Sequence, residues 1–239
     1  HHGLAERVLS IPQKRFVKKL AGFLSYEELM QVLDAVDMKK SGGFRDYAII
    51  HLLYDSGARA QEAASLRLEF FDPSRKTLAI LGKGNRYRQI ELWPKTTQLL
   101  SMYIQKYRPN PKPMHQDILF LNQRRQGFTR YGIYRLCHKY LLLALGEDRL
   151  KSLNPVHCFR HSCAIHMLGA GQSLTDIKNH LGHENLQSTM EYLKLNLNQK
   201  QELQKKFIEY TKNQTKDEKL DDLLDWENEQ ETLNWLDNL

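Results

Sequence analysis

Three basic side chains, His157, Arg160 and His161, share one turn of the segment NPVHCFRHSCAIHML at residues 154–168. Asn154 suits the N-cap of a helix and the proline after it suits the first helical position, which places the three side chains at a helix N-terminus. That end of a helix is already electropositive, and further cationic groups there repel one another unless an anion completes the site. The segment therefore predicts a site for an anion such as a phosphate.

The other face of the same segment is apolar, which predicts that it packs into a core. The stripe has steps of three and four and comprises Val156, Phe159, Cys163 and Met167. Two histidines four residues apart can also bind zinc, but the glutamate of the H-E-x-x-H pattern is missing here. We expect no metal and no other cofactor.

The charge of the chain is unevenly distributed. Net charge is +7, yet the residues from Thr211 onward carry three Lys against nine Asp and Glu. The first 210 residues hold 32 Lys and Arg against 19 Asp and Glu, a balance of +13. A basic body followed by an acidic tail favours nucleic acid as the partner, because each phosphate contact releases counterions.

Composition narrows the class of protein further. A chain of 239 residues with 41% hydrophobic residues can build one large domain or two small ones. No apolar run approaches the length of about 20 residues that spans a bilayer, and we expect no membrane association. Three cysteines are too few for a disulfide framework, which fits a reducing cytosol.

Helix signals dominate the chain, with one interruption by strand signals. Ser25 and Glu28 form a capping box, and Ser56-Gly57 breaks a helical region. Between Arg67 and Leu92, apolar runs separated by the turn compositions DPSRK and GKGN predict three short antiparallel strands. Helices are then predicted over 94–107, from a Thr129 cap to Gly146, and over 155–170, 173–181, 185–195 and 197–212.

Four segments carry the chemistry: SGARAQEAASL (56–66), LGKGNRYRQI (81–90), VHCFRHS (156–162) and LGHENLQSTMEYL (181–193). Their order and content resemble the catalytic domain of the tyrosine recombinases, also called the phage integrase family, which includes the Xer-type recombinases. The resemblance covers roughly residues 24–195. The departure is mild: Ala60-Gln61 stand where the family often has a branched residue and Ser. The matched positions are Arg59, Glu62, Lys83, His157, Arg160, His183 and Tyr192.

The resemblance implies that Tyr192 attacks a DNA phosphodiester and forms a 3′-phosphotyrosyl intermediate. A covalent link of this kind stores the energy of the broken bond, so that cutting and rejoining need no ATP. Arg59 and Arg160 would bind the phosphate oxygens bidentately and stay charged at any working pH. Glu62 is expected to be the buried partner that orients Arg59.

The remaining matched positions are expected to handle protons and phosphate oxygens. Lys83, on the predicted hairpin, would protonate the leaving alkoxide. His157 is expected to assist proton transfer at Tyr192 and to touch phosphate, and His183 to donate to a phosphate oxygen. His161 is expected to support the structure of the site.

The family also implies a fold and a division of the chain. We expect an α+β fold, mainly helical, with a small three-stranded antiparallel sheet at one edge. Residues 1–22 are interpreted as a tag remnant and basic interdomain linker, 23–212 as the catalytic domain, and 213–239 as an acidic tail that docks on a neighbouring protomer. Expected DNA contacts are Lys14, Arg15, Lys18, Lys19, Arg86 and Arg88.

The resemblance implies site-specific cleavage and rejoining of double-stranded DNA at a core site with inverted repeats. The expected assembly is a tetramer in the synaptic complex and a monomer when free, in the cytoplasm with the nucleoid. An integrase or transposase of a mobile element is the favoured role. Two alternatives stay open: a type IB topoisomerase, which relaxes DNA with the same chemistry, and a non-catalytic DNA-binding regulator on the same fold.

Overall fold

A computed structural model of the protein describes residues 22–82, 86–183, 187–190 and 192. In chain order its main elements are helices α1 (Tyr26–Asp34), α2 (Ser41–Ser56) and α3 (Ala60–Ala64), strands β1 (Phe71–Asp72), β2 (Thr77–Leu81) and β3 (Tyr87–Glu91), then α4 (Pro94–Met102), α5 (Arg130–Lys151), α6 (His157–Gly169) and α7 (Leu174–Leu181). Residues 187–190 and 192 are also helical. The fold is mainly helical with one small sheet, as predicted.

Helix boundaries follow local signals in the sequence. Ser25 and Glu28 form the predicted capping box at the start of α1. Helix α2 ends at Gly57, whose φ of +57° belongs to the left-handed region. A Cβ at Gly57 would lie 2.3 Å from Leu181 Cδ2, so glycine is required both by the backbone and by the packing.

The sheet is antiparallel, with strand order β1-β2-β3. Leu78 pairs with Ile90 and Ile80 pairs with Arg88. Since side chains alternate between the two faces of a strand, Leu78, Ile80 and Ile90 point together into the core and are buried. The same alternation places Arg88 on the inward face of β3.

The core lies between the helices and the inner face of the sheet. Helix α6 packs against α2 and against α7, and α7 in turn contacts β3. The predicted stripe of α6 holds: Val156, Phe159 and Cys163 are buried, and Met167 packs at the margin of the core. This packing fixes which face of α6 is left for chemistry.

Two predicted boundaries differ from the structure. Helix α5 does not end at Gly146; that residue interrupts the helix at φ +75° and ψ 173°, and helical structure resumes to Lys151. Helix α6 begins at His157, two residues later than predicted. The N-cap position of α6 is Val156, which makes no side-chain capping bond, but Asn154 Oδ1 accepts from the backbone N–H of His157 at 3.2 Å.

Several predictions fall outside the described residues: the linker, the Lys83 turn, most of the helix expected over 185–195, the helix expected over 197–212, and the tail. Within the described ranges, no helix is long and apolar enough to cross a membrane.

Candidate active site

The turn between α2 and α3 positions Arg59. Arg59 is the N-cap of α3, and its backbone N–H donates to Glu62 Oε2 at 2.9 Å. Its Nη1 donates to Oε1 of the same carboxylate at 2.8 Å. Glu62 is buried, whereas the Arg59 side chain is 40% exposed. The carboxylate thus holds the guanidinium while leaving part of it open, the orienting role predicted for Glu62.

Arg88 is a second partner of the same carboxylate. Its Nη2 donates to Glu62 Oε2 at 2.9 Å and its Nε to the His180 carbonyl at 3.0 Å. The side chain is only 11% exposed. Burial and two internal partners make Arg88 a support for Glu62 here, and its expected contact with DNA stays a prediction. In the sequence, Arg88 is two residues before the buried Ile90 on the same strand, and this alternation could have revealed that it points inward.

The charges of this triad determine the state of Glu62. Burial raises the pKa of Glu62, but the hydrogen bond and charge of Arg88, with the contacts from Arg59, outweigh it and hold the pKa at about 2. Glu62 is consequently ionised at neutral pH. Two guanidiniums around one carboxylate leave a net positive charge at the site.

Arg160 lies beneath the Gly57 turn and is 3% exposed. Its Nη1 donates to the Gly57 carbonyl and its Nη2 to the Leu181 carbonyl, the latter at 2.8 Å. Burial and the neighbouring charge of Arg59 lower the pKa of Arg160 to about 10, so it is still protonated at neutral pH. Arg160 and Arg59, which come from different segments of the sequence, are thus close enough for their charges to interact.

Tyr192 lies in this cluster, with only 2% of the residue exposed. Its hydroxyl is 2.9 Å from Nδ1 of His161. Burial raises the pKa of Tyr192, and the charges of Arg160 and Arg59 act in the opposite direction. The phenol is consequently protonated at neutral pH and needs a proton acceptor before it can act as a nucleophile.

His183 lies beside the tyrosine ring. The two rings are nearly parallel, at 14°, with centroids 6.1 Å apart. Its Nδ1 is 2.9 Å from Thr189 Oγ1, a buried partner that the sequence did not indicate. Burial and the charge of Arg160 lower the pKa of His183 to about 3, so the ring is neutral at pH 7.

The other histidines near Tyr192 differ in exposure and in their contacts. His157 is exposed, and its ring faces that of His161 at a centroid distance of 6.1 Å. The imidazole in contact with the Tyr192 hydroxyl is that of His161, which was expected to be structural. His180 is part of the scaffold, since its Nε2 is 2.8 Å from the Asp55 carbonyl.

A cleft of 650 Å³ opens beside the arginine cluster. Its lining includes Arg59, Arg86, Arg88, Gly182 and His183. Arg86 is exposed here, as a DNA contact requires. The cleft therefore has the positive charge and the open side that an extended anion needs.

Metal ligation is not indicated by the part of the chain that the structure describes. No group of three or more His, Cys, Asp or Glu there is placed to hold a metal ion. Lys83 and the four basic residues of the linker lie outside the described residues.

Comparison with known proteins agrees with this geometry. Residues 23–199, which are 177 of the 239, match the phage integrase family. The chain therefore belongs to the phage integrase family. The tyrosine recombinase XerD of Staphylococcus haemolyticus is 32% identical over 82% of this chain and 66% of its own length. The tyrosine recombinase XerC of Anoxybacillus flavithermus is 34% identical over 77% of this chain and 60% of its own.

Solved structures show the same fold. The XerA recombinase matches with a TM-score of 0.62 and 26% identity, over 71% of this chain and 59% of that one. The XerH site-specific recombinase, in a post-cleavage complex with a palindromic difH substrate, matches with a TM-score of 0.65 and 25% identity, over 77% of this chain and 53% of that one. The chain spans less than two thirds of the length of these relatives.

Proposed function

We propose that this chain is the catalytic part of a site-specific DNA recombinase that works through a 3′-phosphotyrosyl intermediate. The observation that carries the proposal is the meeting of Arg59, Arg160 and His183 around the buried Tyr192. Residues far apart in the sequence assemble there a phosphate-binding cluster with a nucleophile inside it. Membership of the family, and relatives named as tyrosine recombinases, support the same activity.

The cluster suits the transition state of transesterification. Negative charge increases on the phosphate oxygens as Tyr192 attacks, and fixed guanidiniums stabilise that charge without reorganisation. Arg59 is held in place by Glu62, and Arg160 by two backbone carbonyls, so both are preorganised. Lys83 would protonate the 5′ oxygen that leaves, and a DNA hydroxyl would later reverse the step.

Family membership also suggests the kind of DNA partner and the assembly. We propose a double-stranded site with inverted repeats, bound by four protomers in synapsis, with the 213–239 tail docked on a neighbour. The palindromic substrate of the XerH complex is compatible with this arrangement. Action as the integrase or transposase of a mobile element is the biological role we favour.

A suicide DNA substrate tests the proposal. A nick beside the scissile phosphate releases the leaving strand and traps the protein as a denaturant-stable adduct. Wild-type protein should form the adduct and Tyr192→Phe should form none, while DNA affinity stays nearly unchanged because no charge is lost. An adduct with the phenylalanine variant would exclude Tyr192 as the nucleophile.

The same assay separates the alternatives. Absence of any adduct from the wild-type protein, despite DNA binding, would favour the non-catalytic regulator. Relaxation of supercoiled DNA that lacks any specific site would favour the topoisomerase. Recombination that requires two matching sites is the result expected here.

A further inference from the structure

A buried tyrosine that attacks a phosphate must lose its proton to a nearby base. The distance of 2.9 Å between Tyr192 Oη and His161 Nδ1 is that of a hydrogen bond. His161 is partly buried on α6, one turn after His157 and beside Arg160. Proton transfer from the hydroxyl to this nitrogen needs no movement of either side chain.

The electrostatic surroundings keep His161 ready to accept a proton. Burial, His157 and the charge of Arg160 lower the pKa of His161 to about 4, so the free ring is neutral at pH 7. In the Nε2–H tautomer, the lone pair of Nδ1 faces the hydroxyl. A DNA phosphate bound to the arginines would offset their charge and make the imidazole a stronger base at the moment of attack.

The other two histidines are less well placed. His157 is exposed, and its ring contacts that of His161 rather than that of Tyr192. His183 lies nearly parallel to the Tyr192 ring and has its Nδ1 next to Thr189. The hydroxyl proton of a tyrosine lies near the plane of the phenol ring. A base near that plane is therefore favoured over an imidazole that stacks on the ring face.

We propose that His161 is the general base that activates Tyr192. In the step, the bond between Tyr192 Oη and phosphorus forms and the bond between phosphorus and the 5′ oxygen breaks. The tyrosine proton moves to His161 Nδ1, and the 5′ oxygen takes a proton from the general acid. In rejoining, the imidazolium returns its proton to the departing Tyr192. This inference rests on the proposed recombinase function.

His161→Asn tests the role directly. An asparagine amide takes the place of Nδ1 and can still hydrogen-bond to the hydroxyl, but it cannot accept a proton. His166→Asn is the matched control, because His166 is on the same helix and its Nδ1 is 2.6 Å from the Tyr54 hydroxyl. That pair lies outside the candidate active site, so the control removes the same kind of contact without touching the nucleophile.

The decisive measurement is the pH profile of single-turnover adduct formation with a suicide substrate. Wild-type protein and His166→Asn should show rates that are nearly constant from about pH 6 to 9. His161→Asn should be at least about 100-fold slower at pH 7, the scale of general-base catalysis. Its rate should rise about tenfold per pH unit, because only the ionised phenol then reacts. The other ionisable groups facing this pair are His157, Arg160, Arg59, His183 and Cys163.

A second measurement separates the base from the acid and from misfolding. Replacing the bridging 5′ oxygen by sulfur gives a leaving group that needs no proton, so it should rescue a general-acid variant but not His161→Asn. Imidazole added to His161→Ala should restore part of the rate. Melting temperature and DNA affinity of His161→Asn, compared with those of His166→Asn, show whether the fold is intact.

Each outcome decides the matter. A folded His161→Asn with the wild-type profile overturns the inference, and so does a slow variant whose profile keeps the wild-type shape or that sulfur rescues. Those results leave the recombinase function intact, because the wild-type adduct still forms. If wild-type protein forms no adduct, the proposed function fails and this inference falls with it.

Discussion

Glu62→Gln tests the charge balance on which the site depends. The substitution keeps the size of the side chain and removes the one negative charge between two guanidiniums, those of Arg59 and Arg88. The positive charges of Arg59 and Arg88 then repel each other with no carboxylate between them, and Arg88 is almost completely buried. We expect loss of folding stability together with loss of activity, since Arg59 is no longer held.

The magnitude follows from the pKa of Glu62. Its ordinary value of 4.5 falls to about 2 in the folded protein. At 1.36 kcal/mol per pKa unit, ionised Glu62 contributes about 3 kcal/mol to folding at neutral pH. Because the folded-state pKa is depressed, this contribution is complete above pH 4.5 and is lost as the pH falls through 2. The variant should therefore lose stability at pH 7 and show a smaller loss near pH 2.

Urea unfolding at pH 7 and at low pH measures this effect. Glu69→Gln is the matched control, because Glu69 pairs with Arg67 on the surface at 3.5 Å and both side chains are more than half exposed. That pair should contribute less than about 1 kcal/mol. A Glu62→Gln variant that unfolds within about 0.5 kcal/mol of wild type at pH 7 would refute the account of the triad.

Three further predictions concern the arginine cluster and the tail. Arg160→Lys should reduce adduct formation nearly as much as Arg160→Ala, because one ammonium cannot replace two guanidinium nitrogens that donate to separate carbonyls. A rate within about threefold of wild type in the suicide-substrate assay would contradict the proposed phosphate-binding role of Arg160. Gly182→Ala should lower the melting temperature and slow cleavage, because φ is +67° and the new Cβ would lie 2.8 Å from Arg88 Cδ; unchanged melting would show that Arg88 can move at no cost. Deleting residues 213–239 should abolish synapsis in gel-shift assays and leave cleavage by the monomer; faster cleavage would instead indicate an inhibitory flap, and no change a tail without a docking role.

The sequence alone was sufficient for elements whose cause is local. The capping box at Ser25 and Glu28, the break at Gly57 and the three strands depend on contacts between near neighbours in the chain. The predicted end of α5 at Gly146 was wrong, because the backbone leaves the helical conformation at that one residue and then resumes it. A glycine by itself does not tell whether helical structure continues beyond it.

The matched motif led correctly to the family. Arg59 and Glu62, which the motif pairs, are in contact in the structure. These two residues are three apart at the start of a helix, so their contact is nearly local. The roles of Lys83 and of the linker residues stay predictions.

Only the tertiary structure decided which side chains meet across the site. Arg88 points inward where β3 packs on α7, and it becomes a partner of Glu62, a contact that spacing along the chain did not indicate. His161, rather than His157, meets Tyr192. The two histidines lie on the same face of α6, one turn apart, so the choice between them depends on where the segment that carries Tyr192 packs along the helix. Spacing along the chain identifies the residues of this site, but the packing of distant segments against each other decides which of two histidines on one helix face contacts the nucleophile.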